Sequence, residues 1–138
     1  MSNNEEFPLT NKQAAVLING VHTEIFITGF TDRIFIVITQ YGKIGSLIQA
    51  SQDIAPHLAS NPKAVPTSTQ FLMGESTGEQ SELYNLYATS ILQAVGAMNP
   101  KESRPLLLGI ALKPLESMSD KRVVFHQIID QIMANRVW

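Results

Sequence analysis

Three histidines, a glycine-flanked lysine and a scatter of serines are the residues in this chain whose types could do chemistry. His22, His57 and His126 fall in a strand edge, a loop and a helix, and no pair has the short fixed spacing of metal ligands. Gly42-Lys43-Ile44-Gly45-Ser46 resembles a phosphate loop only in composition. In a true one the lysine follows the last glycine and precedes Ser or Thr at a helix start. Here the segment joins two apolar runs, so a turn between strands explains it. No Gly-x-Ser-x-Gly elbow occurs. Glu5-Glu6 lie in a polar leader, and Glu79 with Glu82 suit the positive end of a helix dipole. The residues therefore point away from an enzyme, and no cofactor or metal is implied.

Bulk properties narrow the class further. With 138 residues the chain is long enough for one domain with a sizeable core. The net charge of −2 and pI of about 5.9 leave no basic footprint for nucleic acid. Cysteine is absent, which removes disulfides and thiolate zinc sites and suits a reducing compartment. The leader MSNNEEFPLT is polar and acidic, unlike a signal or transit peptide, and no apolar run approaches a membrane span. A soluble intracellular protein, cytoplasmic and also nuclear, is the expectation.

The elements that would position any site centre on Thr23–Ala50, TEIFITGFTDRIFIVITQYGKIGSLIQA. Its middle run Ile34–Thr39 shows no alternation, so that strand should be buried on both faces. The two polar breaks, Thr31–Arg33 and Tyr41–Lys43, are too short for a crossover and predict antiparallel connections. Residues 1–10 read as a disordered leader ahead of a single domain, 11–138. Strand one is expected over Ala14–Ile18, closed by Asn19-Gly20, a hairpin signal of the type I′ turn. Strands two to four follow at about Val21–Phe30, Arg33–Tyr41 and Ile44–Ala50, with Gly29 marking a bulge or a close backbone approach.

Pro56, Pro62 and Pro66 make 53–66 a long loop, where Ile54, Leu58 and Val65 are apolar side chains available for docking on a partner. Strand five is Thr67–Met73. Ser76 with Glu79, or Thr77 with Gln80, has capping-box spacing before a helix that stops at Asn99-Pro100. Its expected apolar positions are Leu83, Leu86, Tyr87, Ile91, Val95 and Met98. Leu106–Leu112 is strand six, and Ser117 or Ser119 with Asp120 opens a last helix. The order predicts an α+β fold: a mainly antiparallel six-stranded sheet, a β-meander of four to five strands, then α-β-α. The direction of strand six relative to strand five stays open. Two helices cover one face of such a sheet, so the apolar second face calls for a partner subunit, unless a larger internal core absorbs it.

Thr39-Gln40-Tyr41-Gly42-Lys43-Ile44-Gly45-Ser46-Leu47, the apolar strand before it and the terminal Val137-Trp138 resemble the proteasome assembly chaperone 3 family. The resemblance runs from about Lys12 to Trp138. It implies a dedicated chaperone of 20S proteasome assembly that dimerises with a proteasome assembly chaperone 4-like subunit, homodimers also forming. The dimer would bind proteasome α subunits, α5 a principal contact, and promote α-ring formation. Gln40, Tyr41 and Lys43 in the turn, with Ile54, Leu58 and Val65 in the loop, are the candidate partner-binding residues. The competing reading is a non-catalytic dimeric scaffold or adaptor of α+β sandwich type in another pathway.

Overall fold

The computed structural model of the chain describes residues 10–52 and 67–138. The leader ahead of Thr10 and the loop 53–66 lie outside them. In order, the elements are β1 (Thr10–Ile18), β2 (Val21–Gly29), β3 (Ile34–Thr39), β4 (Ser46–Gln52), β5 (Thr67–Met73), α1 (Glu79–Met98), β6 (Leu106–Ala111) and α2 (Met118–Ala134). β1 thus begins at Thr10, four residues before the expected start, because its polar first half pairs along β2 from Gly29 onward. The Asn-Gly turn forms as the sequence predicts, with Asn19 at φ 51° and Gly20 at φ 78°.

The sheet order is β1-β2-β3-β6-β4-β5. Every neighbouring pair is antiparallel except β3 with β6. The expectation of an α+β fold with six strands and two helices holds. The continuous meander of four to five strands does not: it stops after β3, because β6 inserts between β3 and β4. β3 and β4 do run in opposite directions, as their short link demands. Residues 40–45 nevertheless reach across two inter-strand spacings, roughly 10 Å, which six extended residues span with ease. Burial favours this arrangement. β6 is apolar at nearly every position, and the centre of a sheet is the place that covers both of its faces. The open question of direction is also answered: β5 and β6 each run antiparallel to β4, so they point the same way.

Both helices lie on one face. α1 packs on β4, β5 and β6, and α2 on β1 and β2. Beneath them Ile25, Ile27, Ile34, Ile36, Ile38, Ile48, Leu108 and Ile110 are fully buried, against Tyr87, Ile91, Ile128 and Ile132 from the helices. Leu86 and Met98, expected in the buried stripe of α1, are instead exposed, while Tyr84, Ala88 and Leu92 are buried. The stripe is rotated toward the residues that bond with the end of β6. The Tyr84 hydroxyl accepts from the Leu112 amide at 2.8 Å and lies 3.2 Å from the Leu112 carbonyl oxygen.

Neither expected capping box forms at α1. Gly78, at φ 106°, is its N-cap, with no side-chain bond, and Ser81 donates to the Glu75 carbonyl instead. At α2 the expected cap is present, Ser117 accepting from the Asp120 amide at 3.3 Å. Gly29 is a close approach and no bulge, since pairing on both sides of it is regular. A Cβ there would sit 3.1 Å from Val137 Cγ2 and 3.3 Å from Arg104 Nη1. The irregularity lies between Leu47 and Ile48, in the pairing of β4 with β5.

Arg104 ties the same corner together. It donates to the Phe30 carbonyl at 2.8 Å and to both oxygens of Glu102 at 2.7 and 2.8 Å. Those hydrogen bonds hold the Glu102 carboxyl below the ordinary carboxylate range, outweighing the opposing effect of burial. A depressed carboxyl stabilises the fold above its unfolded-state pKa and loses that contribution as pH falls through the folded value. Glu102→Gln is accordingly expected to cost up to about 1.5–3 kcal/mol at neutral pH, the range for a hydrogen bond to a charged group. Its urea midpoint should then fall less steeply than that of the wild type on acidification below about pH 4.5. Parallel pH profiles for the two proteins would show that the pair contributes nothing to stability.

Candidate interaction site

Alternation along the strands sends every second residue away from the helices. On that open face Phe26 pairs with Val37, Val37 with Gly109, Gly109 with Leu47, and Leu47 with Met73, a line of apolar groups across five strands. Phe35 and Leu107 form a second row beside it. Phe35, Val37, Leu47 and Leu107 are half-buried by one another, while Phe26 is 39% and Met73 55% exposed. Ile44, from the link between β3 and β4, lies against Gly109, where a Cβ would come within 3.1 Å of its Cγ2. Gln13, Glu24, Gln49 and Gln70 stand around the patch. An apolar centre inside a polar border is the composition of a protein–protein interface. Both faces of β3 are apolar as the sequence predicts, but the chain's own helices cover only one.

The turn that the sequence singles out is built around Thr39. Its buried hydroxyl donates to the Lys43 carbonyl at 2.7 Å and accepts from the Tyr41 and Lys43 amides, each at 3.1 Å. Gln40 is committed within the fold. Its amide nitrogen donates to the Thr23 hydroxyl at 3.1 Å, and its oxygen accepts from the Lys113 amide at 2.8 Å. Tyr41 and Lys43 point outward, and the Lys113 ammonium lies 5.9 Å from the centre of the Tyr41 ring. Both line a cleft of about 440 Å³ that also takes in Ser46, Glu75, Gln80 and Tyr84.

Sequence reasoning missed the roles of Thr39, whose hydroxyl organises its own turn, and of Gln80 and Tyr84, whose bonds to Leu112 about thirty residues away have no local signature. Of the other candidate residues, Ile54, Leu58 and Val65 fall in the loop outside the described residues, as does His57. His22 and His126 are exposed at opposite faces of the molecule. The structure therefore brings Tyr41 and Lys43 together at one edge, beside the apolar face, and turns Gln40 into their anchor.

The family model described as Proteasome assembly chaperone 3 matches residues 36–135. The chain belongs to the proteasome assembly chaperone 3 family. That match takes in most of β3, the Thr39 turn, β4, β5, both helices and β6, while β1 and β2 lie ahead of it. Relatives named Proteasome assembly chaperone 3 agree. The one from Nematostella vectensis is 28% identical over 102 residues, 74% of each chain. The human one is 28% identical over 110 residues, 79% of this chain and 83% of its own. The Bos taurus one is 28% identical over 131 residues, 94% of this chain and 95% of its own. Among solved structures, a chain in the crystal structure of a novel chaperone complex for yeast 20S proteasome assembly superposes with a TM-score of 0.58. It is 13% identical and the match covers 88% of this chain and 97% of that one, a likeness of fold. Membership of the family supports a chaperone role in proteasome assembly.

Proposed function

We propose that this chain promotes formation of the 20S α ring by binding proteasome α subunits, α5 foremost, as a dimer with a proteasome assembly chaperone 4-like subunit. It acts through binding surfaces alone, without catalysis, in the cytoplasm and the nucleus. The observation that carries the reading is the uncovered apolar face around Phe26, Phe35, Val37 and Leu107. A partner of similar fold would lay its own open sheet on that face, giving a sandwich with helices on both outer sides. Tyr41 and Lys43, at the edge of the sandwich, are then free to meet an α subunit.

Affinity isolation of the tagged chain from its own cells tests this. It should recover a second small α+β subunit and α subunits, and leave mature β subunits behind. Lys43→Ala should reduce α5 recovery while the small partner remains. Recovery of other proteins with no proteasome subunit would instead make the chain a dimeric scaffold of another pathway.

A further inference from the structure

The helical face, opposite the open sheet, carries a second feature. α1 and α2 are joined by the Tyr87 and Phe125 rings, whose centroids are 4.8 Å apart. Toward the start of both helices a groove of about 580 Å³ opens beside that pair. Leu83, Leu86, Met118 and Phe125 give it an apolar lining, and Leu86 and Met118 are 51% and 62% exposed. Its two walls carry opposite charge. Glu79 and Glu82 stand on α1, and Lys121 and Arg122 on α2. No ion pair joins the walls; among the described residues the pairs are Asp32–Arg33 and Glu102–Arg104.

We infer that this groove takes an amphipathic helix of a partner protein, with basic side chains along one flank of its apolar stripe and acidic ones along the other. The basic flank lies over α1 and the acidic flank over α2. An added strand is disfavoured, because a helix wall beyond its first turn has its backbone groups paired and presents no ladder edge to an extended chain. A helix satisfies its own backbone and needs only apolar anchors. Each wall extends over about eight residues, roughly 12 Å, which matches two turns and anchors at i, i+3 or i+4, and i+7. The surface is separate from the sheet face, and the inference does not depend on which protein the sheet face binds.

The test uses the full chain and a designed, fluorescein-labelled helical peptide of about 16 residues. The peptide carries a leucine stripe with lysines on one flank and glutamates on the other. Saturable binding in the micromolar range at low salt is expected. Lys121→Glu with Arg122→Glu should weaken it roughly tenfold, and a peptide with lysine on both flanks should restore it to that variant. Met118→Glu should weaken it for either peptide. These residues are exposed or half-exposed, so thermal melting should match the wild type and show that the fold persists. Three results would overturn the inference. One is no binding up to millimolar peptide, and another is equal binding by wild type and variants. The third is a concentration-dependent self-association of the peptide-free chain that the same variants abolish, which would give the groove to a second copy.

Discussion

Ile36→Ala should destabilise the protein by about 2–5 kcal/mol, the range for truncating a fully buried aliphatic side chain. Ile36 is 0% exposed and pairs with Ile27 on one side and Leu108 on the other. With β6 inserted beside it, β3 lies at the middle of the sheet, between the strands that α1 covers and those that α2 covers, where the surroundings have little freedom to close a cavity. Lys43→Ala, in the exposed turn, should change stability by less than about 0.5 kcal/mol. Its backbone groups carry the bonds to Thr39, and those survive the substitution. Urea unfolding of the three proteins, followed by far-ultraviolet dichroism, separates these outcomes. Similar losses for both variants would contradict the division into central core strand and surface turn.

Val37→Glu should act on association and leave the fold alone. Val37 is the next residue along the same strand but faces the other way, between Phe26 and Gly109 at the middle of the open face. Wild-type chain alone is expected to sediment near twice 15.2 kDa at low micromolar concentration. A carboxylate placed in the centre of that contact has to be desolvated without a partner, which costs several kcal/mol. At about 1.4 kcal/mol per decade, the dimer constant should weaken by roughly a hundredfold or more. The variant should then sediment as a monomer that still melts cooperatively, because in the free chain its side chain reaches water, with a melting temperature lowered only by the stabilisation that dimerisation gives the wild type. A wild type that is monomeric throughout, or a variant that stays dimeric, would remove the open face as the dimer surface.

Much of this protein was legible before any coordinates, and the legible parts share a cause. Asn19-Gly20 closes a hairpin because a type I′ turn needs two residues at positive φ, a requirement met within two positions. Ser117 caps α2 because its hydroxyl reaches an amide three residues on. The unbroken apolar run of β3 predicts burial on both faces, and the chain's own helices supply it on one; two helices are too few to shield the other, which stays as the patch a partner would cover. The turn Thr39–Leu47 carried the family resemblance that the family match bears out.

What required the tertiary structure was adjacency. Apolar runs state that β3, β4 and β6 want to be buried, and the short link states that β3 and β4 oppose each other in direction. Neither states that β6, more than fifty residues beyond β4, comes between them. The same holds for individual side chains. Gln40 looked like a surface residue of a turn, yet its amide is taken by Thr23 and the Lys113 backbone, 17 and 73 positions away. The groove on the helical face follows from where α1 and α2 sit on the sheet, and so do its facing walls of opposite charge. Local sequence determines conformation through short-range sterics and hydrogen bonds; neighbourhood is decided by which apolar surfaces pack best across the whole chain.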